Sequence, residues 1–219
     1  FLGNKPKDWD ITTNATPEQI QSLFLKTFYE NEYGTVGVVN ESEHLGEGEC
    51  SDETLRIVEV TPYRLEAKYG DFRRPDFVKW SKNLEDDLKR RDFTVNAIAL
   101  DINEKGTILN IVDLFDGRKD LEKKIIKAIG KPDERFKEDA LRTLRAIRLS
   151  SELDFEIDPD TENSIKTDAY LLEKIAKERI RDEFVKILMS EKPRYGLLLA
   201  YKLGVLKYIV PELEMGIGV

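Results

Sequence analysis

A change of pattern part-way along the chain constrains its fold more than any other feature. Up to about Asp116-Gly117, short apolar runs alternate with turn residues; beyond about Gly130, apolar positions recur at helical spacing. A mixed α/β part followed by an all-helical part is the pattern of two domains, or of a head with a helical extension. The division is expected at 128/129, giving a head over 1–128 and a helical part over 129–219. In the first part a strand ends over Asp10–Thr12. A helix is expected over Thr16–Tyr29, with Thr16 as N-cap, Pro17 at the first helical position and Ile20, Phe24 and Phe28 as its buried stripe. Strands are expected over Thr35–Val39, Leu55–Arg64 and Ile108–Val112, and a helix over Asn83–Arg90. Phe93–Leu100 opens a strand or a helix. Within Leu55–Arg64, alternation puts Arg56, Val58 and Val60 on one face and Ile57, Glu59 and Thr61 on the other. Asn40–Thr54 and Leu65–Phe77 are read as loops, the second a mobile one. In the second part the pattern predicts helices over Glu134–Leu149, Asp158–Thr167, Leu171–Met189 and Lys192–Tyr208, with no internal repeat.

Composition narrows the chemistry. Of 219 residues 40% are hydrophobic, and runs such as Thr94–Leu100 argue against intrinsic disorder. No stretch approaches the roughly 20 apolar residues of a membrane-spanning helix. Cys50 is the only cysteine and His44 the only histidine, which excludes an internal disulfide and a closed His/Cys zinc site. Any chemistry must therefore run on carboxylates, Lys, Arg and hydroxyls, and a reducing cytoplasm is the expected compartment. The net charge of −8 argues against simple non-specific nucleic-acid binding, yet leaves room for a local basic surface. No signal peptide is visible, and the chain opens on Phe1 rather than Met.

Three motifs carry candidate chemistry. In Lys7-Asp8-Trp9-Asp10-Ile11, residues two apart share a face of an extended chain, so Asp8 and Asp10 present their carboxylates side by side. Such a pair repels unless a cation lies between, Mg²⁺ favours oxygen ligands, and Glu59 is the candidate third ligand. For a bare Asp-x-Asp a solvated strand end is the better reading. Arg90-Arg91-Asp92-Phe93-Thr94-Val95-Asn96-Ala97 offers arginines that fork onto phosphate and an Asp that accepts a ribose hydroxyl; a helix-end charge cluster is the alternative. In Arg135–Arg142, on a helix that also carries Arg145 and Arg148, Asp139 and Arg142 lie three apart and share a helical face. An Asp accepting from an exocyclic amino group beside an Arg donating to a ring acceptor would select cytosine and adenine over guanine and uracil. An ordinary surface salt bridge is the alternative.

In this order the motifs resemble the class II tRNA nucleotidyltransferase (CCA-adding) and bacterial poly(A) polymerase family, over nearly the whole chain. Leu2-Gly3 with Asp8-Trp9-Asp10-Ile11-Thr12-Thr13 is similar to the later half of the family's catalytic motif. Tyr33-Gly34-Thr35-Val36 and Glu59-Val60-Thr61 resemble its next strands, and Arg64-Leu65-Glu66 through Arg73-Arg74-Pro75-Asp76 its flexible loop. Arg90–Ala97 resembles the ribose-binding motif and Asp113-Leu114-Phe115-Asp116-Gly117 the hinge. Glu138-Asp139-Ala140-Leu141-Arg142 resembles the base-selecting motif, and Glu178-Arg179-Ile180-Arg181-Asp182-Glu183 the neck-stabilising one.

The resemblance implies a polymerase-β-like nucleotidyltransferase head with a mixed sheet, followed by an all-α neck. It implies template-independent addition of C and A to the 3′ end of tRNA from CTP and ATP, with pyrophosphate leaving. Poly(A) polymerase and a non-catalytic RNA-binding fragment are the alternatives. By the same resemblance Asp8 and Asp10 bind Mg²⁺ and Glu59 assists. Arg91 and Asp92 hold the incoming ribose with Arg90 nearby, Asp139 and Arg142 read the base, and Asn96 and Arg145 complete the nucleotide-binding set. The family's Gly-Gly-x-Val-Arg-Asp stretch would precede Phe1 and its body and tail would follow Val219, so a head-and-neck part is expected. Lys127 stands where the family usually has Arg, and Asn40–Thr54 is longer than its usual turn.

Overall fold

The structure is a computed structural model that describes residues 1–3, 8–29, 34–40, 56–69 and 75–216. Expectations for Tyr33, Arg73, Arg74 and all of Asn40–Thr54 beyond Asn40 lie outside the described residues. The chain forms two compact units, Phe1–Glu66 with Phe77–Arg90, and Ala67–Asp76 with Arg91–Val219.

The first unit is built on strands β1 (Asp10–Thr13), β2 (Thr27–Tyr29), β3 (Val36–Val39) and β4 (Ile57–Pro62), with helix α1 (Pro17–Leu23) between β1 and β2. The strand order is β1-β4-β3-β2; β1 runs parallel to β4, and the other neighbours are antiparallel. This is the expected mixed sheet. Val36 lies opposite Val60 and Val38 opposite Val58, and Ile20 of α1 closes a small core over Val36, Val38 and Val60. β5 (Arg64–Tyr69), β6 (Pro75–Trp80) and α2 (Leu84–Lys89) follow.

Two expectations fail here. Helix α1 starts where predicted, with a reciprocal cap: the Gln19 N–H donates to Thr16 Oγ1, and the Thr16 N–H to Gln19 Oε1 at 2.9 Å. It ends at Leu23, however, because Thr27–Tyr29 pairs with Val36–Val38 as an edge strand. Of the expected stripe only Ile20 is buried, while Phe24 and Phe28 remain 46% and 39% exposed. Period four therefore misled: a β-branched and aromatic triplet found a ladder partner that the helix reading did not consider. Leu65–Phe77, expected as a loop, instead contributes β5 and the start of β6, which pair as a two-stranded sheet. Residues 70–74 lie outside the described part.

The second unit opens with a 3₁₀ turn (Thr94–Asn96), the hairpin of β7 (Ile98–Ile102) and β8 (Ile108–Asp113), α3 (Gly117–Lys123) and β9 (Ile125–Ile126). Helices α4 (Pro132–Glu138) and α5 (Leu141–Leu153) come next, then β10 (Glu156–Ile157), α6 (Pro159–Asp168) and a 3₁₀ segment (Ala169–Lys174). Finally come α7 (Lys177–Leu188), α8 (Pro193–Lys202), α9 (Leu206–Ile209) and α10 (Pro211–Met215). One core joins Phe93, Ile126 and Phe136 to Leu144, Ile147, Ile165, Leu172, Ile187 and Leu203. Phe93 explains why the compact division falls at Arg90/Arg91, well before the change of pattern. It is fully buried in the helical core and bridges Ala128, while the Thr94 N–H donates to the Lys127 carbonyl.

Three expected helices prove interrupted. Glu134–Leu149 breaks at Asp139, whose φ of −141° and ψ of 105° are extended. Leu171–Met189 divides into the 3₁₀ segment and α7, and Lys192–Tyr208 divides after Leu203, where Gly204 takes a φ of 67°. Among the described residues no helix is long and apolar enough to cross a membrane.

Candidate functional site

In the first unit, the parallel ladder of β1 on β4 sets Asp10 directly beside Glu59. The pairing is opened by the Glu59 N–H, which donates to the Trp9 carbonyl at 3.2 Å, and Asp8 lies just before Trp9. All three acids are exposed. Their oxygen-only donor set suits a hard divalent cation; the sequence placed Glu59 on the polar face of its strand, and the ladder sets it beside Asp10. Among the described residues, no group of three or more His, Cys, Asp or Glu side chains is gathered closely enough to hold a metal. The acids thus fit a cation in kind and order without forming a finished cage.

Two rungs on, past Ile11 and Val60, the pair is made of threonines. Thr12 lies beside Thr61, its hydroxyl donating to the Thr61 carbonyl at 3.2 Å, and the Thr35 and Thr61 hydroxyls meet at 3.3 Å. Gly34, just before β3, has a φ of 85° and takes the Trp80 ring where a side chain would begin. Both facts require glycine there. Arg90 caps the C-terminus of α2 and turns back on the fully buried Asp87. Its Nε and Nη2 reach Asp87 Oδ1 at 2.9 and 2.7 Å. Sequence reasoning passed over Asp87; the Asp-x-x-Arg spacing next to Leu84 and Leu88 was the available signal.

In the second unit, three predicted residues meet at Asp92, which is 7% exposed. One carboxylate oxygen accepts from the Phe93 N–H at 2.8 Å and from Asn96 Nδ2 at 3.1 Å. The other accepts from Arg145 Nε at 2.8 Å and Nη2 at 2.6 Å. Burial pushes this carboxyl up. The Arg145 charge, the Asn96 and Arg145 hydrogen bonds and the Arg142 charge outweigh it and hold the group below the usual aspartate range. Arg145 is raised in return, chiefly by Asp92. Arg91 is tied nearby, its Nη1 donating to the Asn96 carbonyl at 3.2 Å.

The geometry at Asp139 and Arg142 corrects the expected shared helical face. Asp139 sits in the break between α4 and α5, and only Arg142 is helical. Their side chains are held by different partners. Arg179 of α7 donates to both Asp139 oxygens, at 3.4 and 2.8 Å, while Arg142 Nη1 reaches Glu138 at 2.7 Å and the Arg135 carbonyl at 3.2 Å. Arg135 grips the other Glu138 oxygen at 2.5 Å. Deeper between α5 and α7, Arg148 meets Glu183 at 2.9 Å. In the hinge sequence, Asp113 accepts from the backbone N–H groups of Gly117 and Arg118 at 2.8 and 2.9 Å and so caps α3. Gly117 lies against the Thr94 carbonyl with no room for a Cβ.

Comparison with known proteins gives a consistent result. The family profile described as the poly A polymerase head domain matches residues 1–127, and one described as the probable RNA and SrmB-binding site of polymerase A matches 154–216. The CCA-adding enzyme of Ligilactobacillus salivarius is 48% identical over 198 residues, 90% of this chain and 45% of that protein. That of Lactococcus lactis is 44% identical over 218 residues, 98% of this chain and 50% of that protein. The chain thus spans about half the length of the curated relatives it matches. Among solved structures, the Bacillus stearothermophilus CCA-adding enzyme in complex with CTP is 38% identical with a TM-score of 0.78, covering 95% of this chain and 46% of that one.

Proposed function

The chain belongs to the poly(A) polymerase head-domain family, and from that premise we propose that it is the head and neck of a CCA-adding tRNA nucleotidyltransferase. In this reading the 3′-hydroxyl of a tRNA attacks the α-phosphate of CTP or ATP, and pyrophosphate leaves. The observation that carries the reading is the register of Asp10 with Glu59 on adjacent parallel strands, with Asp8 just beyond. The similar proteins are CCA-adding enzymes, which favours this activity over poly(A) synthesis. We keep 128/129 as the boundary of head and neck, supported by the family match that ends at 127. We place the protein in the cytoplasm, in keeping with a tRNA substrate.

The family implies a metal cofactor, and we assign Mg²⁺ to Asp8 and Asp10, with Glu59 assisting. When bound, the metal supplies charge neutralisation for a triphosphate and lowers the pKa of an attacking hydroxyl. The protein's own groups do the rest by position. Arg90 and Arg91 present guanidinium forks suited to phosphate. Asp92, with Asn96 and Arg145 held around it, fixes the ribose-binding turn. Asp139 accepts from the exocyclic amino group of cytosine or adenine, and Arg142 donates to the neighbouring ring acceptor. Guanine and uracil present a keto oxygen to Asp139 and are refused.

The test is single-turnover incorporation of each of the four nucleotides on a tRNA lacking its CCA end. C and A are expected to be added and to stop after the natural three residues. A tail of many A residues on generic RNA would replace this reading by poly(A) synthesis, and no incorporation with all acids intact would end it.

A further inference from the structure

The first unit contains a buried carboxylate that the proposed chemistry leaves unused, and its connections form a closed circuit around the acid-bearing strand. The Tyr63 N–H donates to the carbonyl of Thr13, at the end of β1, at 2.6 Å, and the Ser81 N–H donates to the Tyr63 carbonyl at 2.7 Å. The Ser81 hydroxyl then fixes the start of α2, donating to Asp86 at 2.5 Å and accepting from the Asn83 N–H at 3.0 Å. One turn later Asp87 closes the circuit. It is 0% exposed, takes the Nε–Nη2 edge of Arg90, and lies 3.5 Å from the hydroxyl of Thr12, two residues beyond Asp10 on the same strand.

A wholly buried carboxylate is retained at a desolvation cost that only a well-made pair offsets. A guanidinium gripped along one edge has its plane fixed, which an unpaired Arg on a helix end does not. We infer that Asp87 is a positioning residue for nucleotide binding: it sets the plane of Arg90, next to the strand that carries Asp10. The inference rests on the nucleotidyltransferase reading and deepens it by assigning the residue through which Arg90 acts.

The experiment is a double-mutant cycle of Asp87→Asn and Arg90→Gln in the intact protein. It is read as KM and kcat for CTP and ATP, as Kd for each nucleotide by calorimetry, and as Tm. Asp87→Asn and Arg90→Gln should each raise KM and Kd by about tenfold or more, the scale of one charge-assisted bond, with kcat little changed. The double variant should be no worse than the worse single, because both changes remove the same device. Losses that multiply, or a lowered Tm with unchanged KM and Kd, would overturn the inference and leave Asp87 a plain packing residue. Should Asp87→Asn fail to fold, Arg90→Lys decides: it keeps a cation on Asp87 but has no fork, so KM must rise, and an unchanged KM overturns the idea. A wild-type protein that neither binds nor transfers nucleotide would instead remove the nucleotidyltransferase reading, and this inference with it.

Discussion

The acids of the two units are held in opposite ways. Asp8, Asp10 and Glu59 stand exposed along a strand edge, whereas Asp92 is buried with the donors of Phe93, Asn96 and Arg145 around it. Exposed carboxylates are cheap to charge but repel one another, so they gain most from an added cation. A buried carboxylate cannot wait for one and must be neutralised from within. In the proposed reading the difference separates two jobs: the edge would supply chemistry and contribute little to the fold, while Asp92 would contribute to the fold and through it to binding.

The largest effect should therefore come from the edge. Asp10→Asn is expected to lower single-turnover C addition by roughly 10²–10³-fold or more, because one anionic ligand of a charge-dominated site is lost. The melting temperature should stay within about 1 °C, as for other surface changes. A large drop in Tm together with the lost activity would show that the edge is structural after all, and the contrast between the two units would collapse.

At Asp92 the balance reverses. Asp92→Asn strands Arg145 and should cost about 3 kcal/mol of unfolding free energy, the low end for a broken buried pair because Arg145 is partly exposed. Its pH dependence has a definite sign. The folded carboxyl titrates below the ordinary aspartate value of about 3.9, so its stabilisation is fully present above that value. It is lost as the pH falls through the lower folded value. Denaturant unfolding of wild type and Asp92→Asn should accordingly differ by a constant amount above about pH 5, and the two should converge in acid. A gap that persists into acid would mean that Asp92 acts through shape rather than charge.

Asp139 lies between these extremes, since it is partly exposed and held by Arg179 and by the Leu141 N–H. Asp139→Ala should admit UTP and GTP, eroding discrimination by one to two decades, from an unpaired amino group worth about 1–3 kcal/mol. Incorporation of all four nucleotides measures this directly. Retained preference for CTP and ATP in both Asp139→Ala and Arg142→Ala would reduce both residues to structural ion pairs.

How legible this was in the sequence depended on whether the deciding partner was near in the chain. Thr16, Pro17 and Gln19 announce the start of α1 because a cap is made within four residues. Its end at Leu23 is decided by β3, a strand partner that no local period reveals. The register of Asp10 with Glu59 is a pairing across 49 residues; alternation placed Glu59 on the polar face, but only the ladder sets it beside Asp10. Likewise Asp139 and Arg142 read as one helical pair, but Asp139 is extended, its side chain accepting from the Leu141 N–H at the start of α5 and from Arg179, forty residues away. Asp87 escaped notice because an Asp in a helix reads as solvated until its burial is seen.

The smallest effect should come from a pair close to the same turn. Lys131 meets Glu134 at 2.9 Å in the first turn of α4, with side chains 75% and 55% exposed. The pairing raises the Lys131 pKa, by the hydrogen bond to Glu134 and then by its charge. In water, however, such a pair gains little, because solvent screens the charges and two long side chains must be ordered to make it. On the same helix Arg135 and Glu138 are only 20% and 21% exposed and pass their geometry on to Arg142. Lys131→Ala should therefore leave Tm, total incorporation and the preference for CTP and ATP at wild-type values, whereas Glu138→Ala should disturb that preference through Arg142. The four-nucleotide assay on both variants decides. Equal effects from the two would mean that burial does not separate working from incidental ion pairs on α4.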